Sequence, residues 1–323
     1  MSDEIQILNQ TGRWRARNVN YWGGSWEQIQ KIIPEFTIED FRAFPNTTPN
    51  PHLRTVVRKP KTLLEVPMPV GVVSHSYSLA QHADVANKCF EGIKDEFSLF
   101  RDSVDDFDCE IGITDLGEWM NLRIYFPESY DHTPSDGEKI RLRLECMNSV
   151  DGSSRLVILF GWFRFVCSNG LVIGETKTEI RAIHNENLDL EKIPKAISDA
   201  MKLIDGDKAR LKNWESKPVT DEKLKKWANN PLSNKWGKKA ACRVFHICDS
   251  GHDVEFPDPF APGEATEKPV KKLIRVPGSP EKAANLYDVS QAMSWVATSR
   301  NDTEERLIWQ SNISAIISKL ATI

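Results

Sequence analysis

The order of hydrophobic and polar positions divides the chain into three stretches with different periods. Residues 1–62 have few periodic apolar positions and read as an N-terminal arm. They contain RWRARNVNYWGGSW (13–26), a short helical stretch near Ser25–Ile33, and FPNTTPNPH (44–52), whose prolines forbid regular helix. LRTVVRKPK (53–61) carries four positive charges, and VPMPVGVV (66–73) reads as an edge or entering strand because proline cannot donate to a ladder. From Leu79 to about Arg101, the positions Leu79, Val85, Ala86, Phe90, Ile93 and Phe97 recur at helical spacing.

Residues 109–184 switch to alternation. CEIGITDLG (109–117) and EWMNLRIYF (118–126) predict a hairpin turning at Asp115-Leu116-Gly117. KIRLRLECMNS (139–149) places Ile140, Leu142, Leu144 and Cys146 on one face and Arg141, Arg143 and Glu145 on the other, a half-buried antiparallel pattern. RLVILFGWFRFVC (155–167) is apolar on both faces and predicts a central strand. Ser168-Asn169-Gly170 predicts a tight turn with φ > 0, and LVIGETKTEIRAIH (171–184) leaves on a further strand. After Leu188 the period turns helical over 190–217, with Pro194 tolerated in the first turn, then over 220–229 and 234–249. A proline-rich loop over 250–280 and a last helical region over 281–320, split at Ser299–Asn301, complete the chain. The sum is an α+β protein: an antiparallel sheet of about five strands on the 79–101 helix, forming a core over 63–189. The arm (1–62) precedes it and a helical C-terminal region (190–323) follows.

Composition narrows the class. Of 323 residues, 40% are hydrophobic and 27% charged, enough for a packed core, and the 17 Gly and 18 Pro are too few for a collagen-like or low-complexity chain. A net charge of −4 gives no global basic excess, so a nucleic-acid site has to be a local patch. No apolar run approaches the roughly 18 residues of a membrane span, and the acidic start MSDEIQILNQ does not read as a secretory signal. Six widely spread cysteines in a chain of this size point to reduced thiols and a cytoplasmic setting.

Local chemistry offers four candidates. Cys167 beside Asn169-Gly170 reads as a nucleophile corner or as a buried cysteine before a turn, and no histidine lies near it in sequence. Cys242, His246, Cys248 and His252 form C-x3-H-x-C-x3-H, a ligand set for zinc or else core cysteines with histidines. The usual C-x2-C knuckle is missing, and a continuous helix points the two pairs apart, so no metal or other cofactor is expected. Residues 91–110 hold eight acids and two bases, among them Asp102, Asp105, Asp106, Asp108 and Glu110: a solvated loop, a protein-contact surface or a hard-cation site. Residues 202–243 hold twelve Lys/Arg and five Asp/Glu, with Trp214, Trp227 and Trp236 interleaved. Phosphates need distributed positive charge and unpaired bases stack on aromatic faces, so this stretch reads as a nucleic-acid track or as a solvated face over core tryptophans. The arm repeats the combination with Arg13, Trp14, Arg15, Arg17, Tyr21, Trp22 and Trp26.

The block SSRLVILFGWFRFVCSNGLVIGETKTEIRAIH (153–184), with Phe163-Arg164-Phe165-Val166-Cys167-Ser168-Asn169-Gly170-Leu171 at its centre, resembles the phage/plasmid-like protein family known as domain of unknown function 932. PVGVVSHSYSLAQHADV (69–85) is similar to that family's early strand-to-helix element, and KWGKKAACRVFHI (235–247) is a looser match to a C-terminal helix. The resemblance spans about 65–250 and implies a mobile-element protein without a defining activity. Its order of helix, hairpin, two long strands and helix is similar to the core of RecT/Erf-type single-strand annealing proteins, a likeness of fold that does not by itself fix function. The expectation is a non-enzymatic nucleic-acid-binding protein, engaging single strands or promoting annealing, and forming a homo-oligomer. Arg141, Arg143 and Arg164 on the sheet would meet phosphates together with Lys223, Lys225, Lys226, Lys238 and Lys239. Trp227 and Trp236, with Trp214, would stack bases. The alternative is a protein-binding inhibitor of a host defence complex, and a third reading is a metal-dependent enzyme.

Overall fold

The computed structural model describes residues 5–97, 107–134, 137–164, 169–171, 180–256 and 263–323. It is α+β, and contacts divide it into two units. The first comprises residues 1–127, 143–160 and 177–202, and the second 128–142, 161–176 and 203–323.

An antiparallel sheet dominates the first unit. Its strands are β1 (Gln6–Trp14), β2 (Arg17–Gly24), β6 (Asp108–Thr114), β7 (Trp119–Tyr125), β8 (Ile140–Ser149) and β9 (Leu156–Arg164), neighbours in that order, with β11 (Ile180–Ala182) beside β9. Glycine at 117 makes the β6–β7 turn: its φ is +84° and its N–H donates to the Thr114 carbonyl at 2.8 Å. The register puts Ile111 opposite Leu122 and Leu122 opposite Cys146, one apolar face. Helix α2 (His82–Phe97) covers that face, with Cys89 against Cys146 and His82 against Asn148. Helix α3 (Lys192–Met201) packs on α2 where Gly92 has no side chain; a Cβ there would stand 2.7 Å from Pro194.

Two expectations change here. Residues 6–24, within the stretch read from sequence as an N-terminal arm, form a hairpin of the main sheet, which has eight strands among the described residues where about five were expected. Arg15 and Ala16 turn the hairpin at positive φ, Trp14 is fully buried and stacks on Trp119 at 5.5 Å, and Arg17 pairs with Glu118 at 2.6 Å. The charged face of β8 is buried at Arg143 and Glu145: Gly23, Glu110, Arg123 and Glu145 stand in cross-strand register, so these charges pair within the sheet instead of facing water.

A second sheet of β3 (Phe36–Asp40), β4 (Leu53–Arg58) and β5 (Met68–Ser74) also belongs to the first unit. Phe36, Val56, Val73, Tyr77 and Val150 form its core. The short helix α1 (Trp26–Gln30) carries a capping box at Ser25 and stacks Trp26 on Phe90.

The second unit is mainly helical: α4 (Ile204–Ser216), α5 (Asp221–Trp227), α6 (Ser233–Trp236), α7 (Lys238–Ser250), α8 (Leu286–Thr298) and α9 (Thr303–Ala321). A π-helical turn over Ala228–Leu232 holds Pro231, whose missing N–H breaks the ordinary helical ladder. Arg243 and Trp295 both donate to Asp253, clamping α7 and α8 to strand β12 (His252–Glu255). β12 pairs with β13 (Lys271–Arg275), so the expected 250–280 loop contains a hairpin. β10 (Asn169–Leu171) pairs with the end of β9, Asn169 opposite Arg164 and Gly170 opposite Phe163. Asn169 and Gly170 are therefore ladder residues rather than the turn expected at Ser168-Asn169-Gly170, and Ser168 lies outside the described residues. Among the described residues no helix is long and apolar enough to cross a membrane.

Candidate nucleic-acid interface

Helix α5 begins at Thr220, whose hydroxyl accepts from the Lys223 N–H. Leu224 and Trp227, three apart, point into the core, and the positions between and before them, Lys223, Lys225 and Lys226, are exposed. Lys225 and Lys226 stand in the last turn, where the helix dipole favours cations. Lys238 and Lys239 are exposed in the first turn of α7, where the dipole disfavours them. That placement gives α7 no stability, so these two charges ask for a reason outside the helix.

The tryptophans among these lysines are structural. Trp227 is fully buried, and its Nε1–H donates to the Ile316 carbonyl at 3.0 Å. Trp236 is buried and stacks on Trp309 at 4.6 Å, and Trp214 is buried in α4. Trp227 and Trp236 therefore present no ring face to a base, which corrects the stacking role read from sequence. A tryptophan needs a large apolar contact area, and a helix with one inward stripe supplies it there.

The sheet arginines divide. Arg143 is buried and pairs with Glu145 at 2.6 Å, so it is an internal counter-ion and not a phosphate contact. Glu145 also takes Arg123 at 3.2 Å, and Arg123 reaches Glu110 at 3.0 Å, where the Tyr125 hydroxyl donates too. Two guanidinium groups and two carboxylates thus balance, as buried charges must. Arg141 is half-buried at the start of β8. Arg164 lies on β9 opposite Asn169, and its side chain is outside the description.

The other candidates do not assemble. Cys242 and His246 lie one turn apart on α7, but the Cys242 thiol points to the Glu264 carbonyl and the His246 Nε2 to the Glu267 carbonyl at 2.6 Å. Cys248 is buried, and its surroundings push its thiol pKa up; His252 lies beyond the Gly251 cap. Among the described residues no three His, Cys, Asp or Glu side chains stand close enough to hold a metal. Cys167, Asp102, Asp105 and Asp106 fall outside the described residues. Asp108 is exposed, while Glu110 serves the buried charge cluster.

Sequence reasoning missed a polar chain beneath α2 in the first unit. Asn148 is fully buried, donates to the Ala80 carbonyl and to His82 Nδ1 at 2.9 Å each, and accepts from His184 Nε2 at 2.8 Å. His82 Nε2–H donates to the Gly117 carbonyl at 2.9 Å, so the His82 ring, accepting at Nδ1 and donating at Nε2, is fixed as one neutral tautomer. Burial pushes each histidine down to about 4. The three residues are 66 and 36 positions apart along the chain, and no local spacing announces them.

A family model described as a domain of unknown function (DUF932) matches residues 69–250. Neither a curated protein nor a solved structure matches the chain.

Proposed function

The chain belongs to the DUF932 family, whose matched segment covers more than half of it, and on that premise we propose that it is a non-enzymatic phage or plasmid protein that binds nucleic acid through backbone phosphates. It works in the cytoplasm as a homo-oligomer, and single-strand annealing is the activity its element order suggests. The observation that carries this reading is the set of five exposed lysines on α5 and α7, within 17 residues of chain, in a protein whose net charge is −4. Two of them oppose the dipole of their own helix, which favours a role in binding over one in folding. With the tryptophans in the core, the expected contacts are ionic, so binding follows phosphate charge more than base identity.

Fluorescence anisotropy with a labelled single-stranded oligonucleotide across a salt series tests this. Changing Lys223, Lys225, Lys226, Lys238 and Lys239 to Gln should weaken binding and flatten the log–log salt slope by roughly 0.7 per lost contact. The melting temperature should hold, because surface substitutions usually stay within about 0.5 kcal/mol. No binding by the parent at low salt, or an unchanged variant, overturns the proposal.

A second reading, inhibition of a host defence protein, draws support from the loop between β4 and β5. Leu63 and Leu64 are fully exposed there, and Val66 largely so, an apolar tip of the kind that seats in a partner.

A further inference from the structure

In the first unit an open pocket of 650 Å³ lies at the ends of β4 and β5. Arg54 enters its wall from β4, Ser74 from the end of β5, and His75, Ser76 and Tyr77 from the turn that follows. Glu186 comes from the segment after β11.

These groups are held in place before any ligand arrives. Arg54 Nη2 donates to the His75 carbonyl and to His75 Nδ1, the latter at 3.3 Å. Because a guanidinium can only donate, Nδ1 accepts, and Nε2 is the ring's donor. The Ser74 and Ser76 hydroxyls stand 3.2 Å apart. Tyr77 is buried, its ring stacks on His184 at 5.6 Å, and its hydroxyl donates to the Ser149 carbonyl at 3.3 Å. His184 is fixed in turn by Asn148, so the floor of the pocket rests on the buried polar chain.

The wall is rich in donors: the Arg54 guanidinium, the His52 and His75 imidazoles and the hydroxyls of Ser74, Ser76 and Ser78, against the one carboxylate of Glu186. A carboxylate ligand has two oxygens to offer such a set, whereas a terminal phosphate has three and a second negative charge. Glu186 adds an acceptor suited to a sugar hydroxyl. The volume falls in the range of small-ligand sites.

We propose that this pocket binds a phosphomonoester, carried by a free mononucleotide or by the 5′ end of a nucleic-acid strand. The identity of the organic part rests on the nucleic-acid reading; the phosphate chemistry stands on the pocket alone.

Calorimetric titration of the full chain with AMP, adenosine and inorganic phosphate tests it, alongside oligonucleotides with and without a 5′-phosphate. AMP should bind saturably and adenosine about tenfold or more weaker. Arg54→Gln should weaken AMP about tenfold or more, and His75→Asn, at an exposed position with little packing to lose, should weaken it several-fold. A preference for the 5′-phosphorylated oligonucleotide assigns the strand end as the source, and AMP binding without that preference assigns the free nucleotide. No saturable binding of AMP or phosphate up to about 10 mM overturns the proposal, as does parental AMP affinity in both variants. The two readings fail separately. If the five-Gln variant keeps parental oligonucleotide affinity while Arg54→Gln loses AMP, the lysine track falls and the pocket stands; the reverse pattern removes the pocket only.

Discussion

Replacing Asn148 with Ala removes one side chain and strands three buried groups. The Ala80 carbonyl and His82 Nδ1 each lose a donor 2.9 Å away, and the His184 Nε2–H loses its acceptor at 2.8 Å. A buried polar group left without a partner costs about 1–3 kcal/mol, so the sum is about 3–5 kcal/mol once some relaxation is allowed. That is a large fraction of the 5–15 kcal/mol that typically holds a domain together. Urea unfolding of the full chain, followed by tryptophan fluorescence at pH 7, measures the loss. The same cluster fixes a pH dependence. Both histidines stay neutral in the folded chain down to about 4, whereas the unfolded value is 6.5. Between those values the unfolded chain takes up protons that the folded chain refuses. Stability is therefore full above pH 6.5 and declines as pH falls toward 4, by roughly 3 kcal/mol for each histidine. Changing His82 and His184 together to Gln should flatten this decline. A loss below about 1 kcal/mol in Asn148→Ala, with a parental pH profile in the double variant, would refute the network.

Three further substitutions probe other parts of the fold. Trp227→Ala should cost about 3–5 kcal/mol in thermal or urea unfolding and leave the salt dependence of oligonucleotide binding alone; a changed salt slope at unchanged stability would return that ring to the binding surface. Gly92→Val drives a side chain into Pro194, so the melting temperature should fall by the equivalent of about 1–3 kcal/mol, and an unchanged value would mean that α2 and α3 can separate freely. Glu145→Gln leaves Arg123 and Arg143 with one shared carboxylate fewer and should destabilise by about 3–5 kcal/mol in denaturant titration, whereas a neutral result would mean that water reaches the cluster.

Elements with a clear local signal were legible. The turn glycine at 117 has the positive φ its sequence asked for, and the last helical region breaks at Ser299–Asn301, where α8 ends and Asp302 caps α9 through the Glu305 N–H. The lysines of α5 were legible as exposed because Leu224 and Trp227 mark the inner stripe. The strands at 6–24 were hidden, since their inward residues Trp14, Val19 and Tyr21 are diluted by arginine and asparagine. The ladder position of Gly170 contradicts its turn propensity, and β13 was masked because all five of its residues are exposed. The polar face of β8 read as solvated because its counter-charges come from β6 and β7, which alternation within one strand does not reveal. The pocket was out of reach for a similar reason: its wall joins residues near 54, 75 and 186.

The first unit is interrupted twice along the chain, and this sets a timetable for its birth on the ribosome. When Pro127 leaves the exit tunnel, β7 has no partner on one side, because β8 has yet to emerge. Gly92 waits for Pro194, about a hundred codons later, which at ordinary elongation rates is roughly 5–20 s. The strand edge waits only for β8, whereas the flank of α2 stays bare throughout the longer interval. A transcript truncated after β7 would leave that strand edge without its partner, and the first unit has all its segments only when residue 202, nearly two-thirds of the way along the chain, has been made.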